Sequence, residues 1–390
     1  MTSSPRTRDP MDQRGPLSGI RVLELGGIGP GPFAGMLLGD LGAEVIRVDR
    51  VQDAGKSDPH PILHRNRRSV TIDLKDPRGA DVVLALAETA DAVIEGFRPT
   101  VAERLGVGPD ALLARNPALV YARMTGWGQD GPLAAEPGHD INFIALTGVL
   151  HAIGPADEPV VPLNLVGDMG GGGMLLAFGL LAAVVNARST GRGQVVDAAM
   201  TDGSATLLAM IHGFLNAGAW QDERERNSID GASPCYGVYR CSDDRHVALG
   251  VGDSRSYTAL LEVLGLADDP DFADRRNQGA WPVMRKKLGE VFCTRGRDTW
   301  EQVFAGRGAC VTPVLSLTEA PRHPHNVARN TFRTSPEGHI EPAPAPRFSG
   351  TPAAEPSRAP VVGSDTDGVL VHAGYGPDRI AQLRARGVVG

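Results

Sequence analysis

IRVLELGGIGPGPFAGMLLGDLGAEVIRVDR, residues 20–50, decides the fold. Ile20–Leu25 is a short apolar run of the kind a buried strand needs, and the GGIGPGP that follows breaks it with glycine and proline. Pro32 suits the first turn of a helix, Phe33 to Leu41 is apolar at helical spacing, Gly42 can stop it, and Glu44–Arg50 reads as a second strand. Strand, helix and strand in that order open a parallel α/β sheet. The outline is also that of a dinucleotide site, with Asp49 about twenty residues on. The spacing is imperfect, because Pro32 stands where the third glycine of GxGxxG belongs. Two readings stay open: a nucleotide-binding turn, or glycines that only let a strand turn tightly into its helix.

The alternation continues outward. SVTIDL (Ser69–Leu74), a helix over Asp81–Thr89, DAVIEGF (Asp91–Phe97) and LVYARMTGWG (Leu119–Gly128) extend a mostly parallel sheet. After Asp168 a glycine run opens an apolar helix, Met174 to Asn186, and GQVVDAAM (Gly193–Met200) leads into a helical stretch to about Gly218. The pattern then changes to short strands (Tyr236–Arg240, Val247–Val251) and amphipathic helices (Tyr257–Leu264, Trp281–Thr294, Thr299–Phe304). The organisation expected is a loose polar arm over 1–15, a large α/β domain over 16–200, a helical linker over 201–228 and a smaller α+β domain over 229–318. Residues 319–360, rich in Pro and Arg, read as an extended return, and Pro377–Arg386 as a last helix.

Composition narrows the function. A chain of 390 residues exceeds what one core usually serves, ~250–300 residues. Hydrophobic residues at 42% and charged ones at 22% are globular values. The 39 Lys+Arg against 46 Asp+Glu give a net charge of −7, the wrong sign for an unspecific nucleic-acid binder. Cys235, Cys241, Cys293 and Cys310 lie in no metal-ligand or disulfide spacing. The longest apolar run, Met174 to Val185, is shorter than the ~20 residues a bilayer demands. No apolar segment opens the chain, and ARGVVG at its end is no peroxisomal signal, so a cytoplasmic protein without a membrane or nucleic-acid partner is expected.

Against this acidic background a set of cations stands out: Arg47, Arg50, HRNRRS (His64–Ser69), Lys75, Arg98 and Arg104. Solvated surface charge is the ordinary explanation, but cations after successive strand ends can gather at one face and grip phosphates. Two further segments can carry chemistry. EPGHDINF (Glu136–Phe143) puts His139 in a polar loop, and PLNLVGDMGGGG (Pro162–Gly173) brings Asp168 to four glycines at the mouth of a helix. Capping explains an Asp there. Backbone N–H groups freed by the glycines could also hold an oxyanion, and a histidine with a carboxyl group makes a proton-transfer pair.

GPLSGIRVLELGGIGPGPFAGMLLGDLGAEVIRVDR, NRRSVTIDLKDPRG, YARMTGWGQDGP, GHDINF, PLNLVGDMGGG, GQVVDAAMTDG and ACVTPVL together resemble the α-methylacyl-CoA racemases of the family III CoA-transferase (CaiB/BaiF-like) superfamily, over about residues 15 to 350. The resemblance implies an interlocked homodimer. Its large domain would be Rossmann-like and built from both chain ends, so that 319–390 completes it. The implied activity is isomerisation of 2-methylacyl-CoA thioesters, a step of lipid metabolism, with CoA as part of the substrate and neither a redox cofactor nor a metal required. His139 and Asp168 match the two acid/base residues. Ile28, Arg50, Leu74, Lys75, Gly96 and Arg104, with Gly138 and Asp140 beside the histidine, match residues that hold CoA. One segment departs: where the racemases carry a Glu that supports the histidine, GVGDSRS (Gly250–Ser256) offers Asp253. The rival reading is a CoA-transferase with Asp168 as nucleophile; a non-catalytic acyl-CoA binder is a third.

Overall fold

The computed structural model describes residues 15–390; the expected N-terminal arm falls almost wholly outside them. The chain divides into two units. One takes residues up to Thr147, Leu163–Leu207 and Glu341–Gly390; the other takes Gly148–Pro162 and Leu208–Ile340.

The first unit is built on six strands: β1 (Arg21–Leu25), β2 (Glu44–Asp49), β3 (Arg67–Thr71), β4 (Ala92–Glu95), β5 (Val120–Thr125) and β6 (Val195–Ala199). They run in the order β3-β2-β1-β4-β5-β6, all parallel. Strands β1–β5 are short and almost continuously buried, as a sheet covered on both faces requires, while β6 at the edge is open at its start. Leu23, Leu25, Ile46, Val70 and Val93 face one layer, with α2 (Pro77–Ala87) and the C-terminal helices Thr366–His372 and Pro377–Ala385. Val22, Val45, Ile94 and Ala122 face the other, with α1 (Pro30–Asp40) and a long apolar helix. Each fully buried Val, Leu or Ile contributes about 1.5–3 kcal/mol. Both ends of the chain thus build this unit. Between β1 and β4 the chain order reverses, and it is outside the carboxyl ends of strands at such a point that open α/β sheets bind ligands.

The long helix differs from its expected form. It does not begin at Met174: the glycine run is itself a π-helix, Leu165–Met174, continuous with the α-helix Leu175–Thr190. The 26 residues are long and apolar enough to cross a bilayer by length and composition. Leu176, Leu180 and Val184, however, are buried against the sheet, which makes this a core helix.

The second unit holds an antiparallel three-stranded sheet, Tyr236–Arg240, His246–Gly250 and Val311–Pro313. Helices Ser254–Leu264, Trp281–Phe292 and Arg297–Phe304 enclose Tyr239, Phe292, Trp300 and Phe304, an aromatic cluster with ring centroids 5.1–6.2 Å apart. Gly148–Pro162 belongs here and not to the large domain as expected. Arg224 explains it, donating to the carbonyls of His151 (2.9 Å), Pro155 (2.8 Å) and Ala156 (3.1 Å).

Candidate active site

A crevice of about 210 Å³ opens where β1 and β4 end, lined by Gly27, Ile28, Gly96, Arg98, Trp127 and His139 among others. The first glycine turn is built for close approach: a Cβ on Gly96 would stand 2.9 Å from the Cα of Gly27. Backbone against backbone leaves nothing flexible to yield. Ile28, at the tip of that turn, is 80% exposed, a large apolar side chain offered to the crevice.

His139 precedes the helix Asp140–Leu146 in extended backbone, and its N–H donates to Asn142 Oδ1 at 3.1 Å. The loop beneath is braced by Trp127 edge-on to Phe143, centroids 4.7 Å apart, so the exposed imidazole stands on a fixed base. Asp168 sits one turn inside the π-helix, half-buried, with Oδ2 accepting from Asn164 Nδ2 at 3.0 Å. A Cβ on Gly29 would be 3.1 Å from that same Oδ2, so the carboxylate rests on the glycine turn that also lines the crevice below His139. Asp140 joins the two: its Oδ1 accepts the Asp168 N–H at 2.7 Å. The structure therefore brings His139, Asp168, Gly138, Asp140, Ile28 and Gly96 to one place, although Asp140 turns its carboxylate inward.

The four glycines after Asp168 do not expose donors as expected. Gly171, Gly172 and Gly173 are buried, and side chains there would strike Ser204 N at 2.7 Å, Pro30 Cβ at 2.9 Å and Phe33 Cδ1 at 2.7 Å. They let the long helix lie directly on α1 and on the helix Met200–Leu207.

The basic set also splits. Arg65 and Arg67, expected at a phosphate-binding face, are buried ion-pair partners of Asp40 (2.6 Å) and Glu24 (2.8 Å). Arg47 pairs with Asp49 and Asp58, and Arg68 with Glu44. A guanidinium inside a core requires a carboxylate beside it. Arg50, Lys75, Arg98 and Arg104 remain exposed, and no side-chain ion pair joins them to another described residue. All four follow the carboxyl ends of β2, β3 or β4, the edge at which the crevice opens; Leu74, beside Lys75, is half-buried against the core.

Arg98, named in the basic set though not among the matched CoA residues, lines the crevice. One residue beside it was missed. Glu95, at the end of β4, is 3% exposed, and burial pushes its carboxyl up to about 7, against the pull of the Phe97 N–H and of Arg123. A glutamate closing the apolar run Ala92–Glu95 directly before Gly96 was the available signal.

Asp253 lies in the second unit and caps Ser254–Leu264, accepting from Ser256 N at 2.9 Å and from Ser256 Oγ at 2.8 Å. Those donors hold its carboxyl below the usual range. Both oxygens are occupied locally.

Residues 17–366 match the model of CoA-transferase family III. The human alpha-methylacyl-CoA racemase is 41% identical over 376 residues, 96% of this chain and 97% of that protein. The mouse succinyl-CoA:glutarate CoA-transferase is 28% identical over 408 residues, covering 98% and 92%. A solved CaiB/BaiF family protein from Brucella suis superposes with a TM-score of 0.79 at 25% identity, over 93% of this chain and 100% of that one. A match of that extent, on a fold shared from end to end, places the chain in CoA-transferase family III.

Proposed function

We propose that this chain is an isomerase that interconverts (2R)- and (2S)-2-methylacyl-CoA thioesters. The observation that carries the reading is the meeting of His139 and Asp168, from different elements, at one glycine turn on the ligand-binding edge of the sheet. One of them takes the α-proton, the C–H electron pair moves toward the thioester oxygen as an enolate, and the other returns a proton to the opposite face of the carbon. Each turnover exchanges the protonation of the two, and solvent exchange resets them. The enolate oxygen needs a donor. Since the glycine run is packed away, that donor in this reading is the start of α1, where Gly31 carries the N–H between Pro30 and Pro32. Arg50, Lys75, Arg98 and Arg104 would meet the CoA phosphates, with Ile28 and Leu74 alongside. No redox cofactor or metal enters any step.

The greater identity to a racemase than to a transferase, and the presence of His139, favour this over Asp168 acting as a nucleophile. The working form is a homodimer, supported by the apolar surface left at Leu163, Leu165, Phe178 and Val185, each 59–71% exposed. Its place is the cytoplasm, without a membrane or nucleic-acid partner. In deuterated buffer the enzyme should place deuterium at C2 of either enantiomer with no acceptor acid present, and His139→Ala should abolish this. Dependence on a free acid, or full activity in the variant, would overturn the assignment.

A further inference from the structure

We propose that Asp140 is a positioning residue for this reaction: its buried carboxylate fastens the first turn of the His139 helix to the backbone of Asp168 and so sets the gap between the two bases. The inference rests on the isomerase reading above. Asp140 follows His139 directly and is only 7% exposed. Its Oδ1 accepts the Asp168 N–H at 2.7 Å. Position 167 has been kept clear for it, since a Cβ on Gly167 would stand 2.5 Å from Oδ1 and 2.9 Å from Cγ. Its Oδ2 is buried and has no hydrogen-bond partner among the described residues. A carboxylate is a costly way to join two backbones when a neutral amide would serve.

The surroundings are acidic. The titratable groups on the elements against this turn are Asp168 on the π-helix and Asp202 on the helix Met200–Leu207, with His139 on its own element. Burial first, and the charge of Asp168 second among the raising influences, hold the Asp140 carboxyl above its ordinary range, while the Asp168 and Gly167 N–H groups pull it down. Without the clamp, the histidine and the carboxylate keep separate anchors, the Asn142 turn and Asn164.

Three proteins test this: wild type, Asp140→Ala and Asp140→Asn. Each is assayed for α-deuterium incorporation into 2-methylacyl-CoA across pH, and for amide hydrogen exchange over residues 139–146 and 165–174, which needs no substrate. Alanine is expected to lower kcat about a hundredfold, with KM within about threefold, because a misplacement of the order of 1 Å has that effect. The Asp168 amide should lose protection in the same variant. Asparagine keeps the acceptor oxygen, so it should recover at least about tenfold of the rate and restore the amide protection. Asp140→Ala within threefold of wild type in kcat, or unchanged Asp168 amide protection in that variant, would overturn the clamp. A wild-type enzyme that exchanges no α-proton would instead overturn the isomerase reading, and the amide exchange still decides the clamp.

Discussion

Glutamine in place of Glu95 offers a measurement in which burial, and little else, sets the sign. Glu95 lies between Leu25 of β1 and Arg123 of β5 and is 3% exposed. Its Oε1 accepts the Phe97 N–H at 2.5 Å. Arg123 Nε is 3.6 Å from Oε2, beyond hydrogen-bonding range, because the guanidinium is drawn to Glu103 and to Gln129 Oε1 at 2.8 Å. Desolvation therefore dominates and lifts the carboxyl from 4.5 to about 7. The folded protein binds this proton more tightly than the unfolded chain does. The stability this gives is fully present below about 4.5 and is lost as pH rises through about 7. At about 1.4 kcal/mol per unit, the whole swing is about 3 kcal/mol. Glutamine has no proton to lose, and its amide oxygen can keep the Phe97 N–H. The stability of Glu95→Gln minus that of wild type should thus rise by about 3 kcal/mol between about pH 4.5 and about pH 8. Urea unfolding of both proteins side by side reads this difference, since every other titrating group is common to both. A gap constant to within about 0.5 kcal/mol across that range would refute the claim that burial governs this carboxyl.

Other residues give shorter tests. Arg67→Ala leaves Glu24 buried and unpaired, and should cost about 3–5 kcal/mol in urea unfolding; a loss under about 1 kcal/mol would show that the pair is not a structural one. Arg104→Glu should raise KM for the acyl-CoA about tenfold with kcat near wild type, an effect that shrinks as salt is added; equal KM values at low salt would remove Arg104 from the phosphate face. Asp253→Ala removes a helix cap and should destabilise by about 1 kcal/mol, read as a lowered Tm, whereas Asp253→Asn keeps an acceptor for Ser256 N and should retain kcat. A kcat loss beyond about tenfold in the asparagine variant would show that the negative charge at 253 is required, which a cap alone does not explain.

Much of the fold was legible because periodicity is local. Ile20–Leu25 and Glu44–Arg50 became β1 and β2 within a residue of their ends, and Tyr236–Arg240 was placed to the residue. At β3 a charge was responsible for the misreading. Ser69–Leu74 was taken to start after the arginines, yet β3 runs Arg67–Thr71, because Arg67 enters the core on the strength of Glu24. The glycine run after Asp168 misled for a related reason. Four glycines in sequence read as a helix mouth with free N–H groups, and only the closeness of Pro30, Phe33 and Ser204, contributed by two other helices, shows why they form a packed π-helix instead.

The candidate site divides along the same line. His139 and Asp168 were named from short motifs; His139 lines the crevice and Asp168 lies against the glycine turn, since what each needs locally, a helix start and a helix turn, is written within a few residues of it. Charge partners are not written that way. Arg65 meets Asp40 and Arg67 meets Glu24 across 25 and 43 residues, so a run that reads as one basic patch is dispersed into the core, and the cations left for a phosphate are the separate ones at strand ends. Asp140 is the sharpest instance. One position from His139 it looks like part of the same polar loop, and only the 2.7 Å bond to Asp168, 28 residues away, turns it into a link between the His139 helix and the π-helix. A carboxylate's role depends on which donor the fold brings to it, and that donor is set by topology, which is why these residues could be named singly from their motifs while their pairings could not.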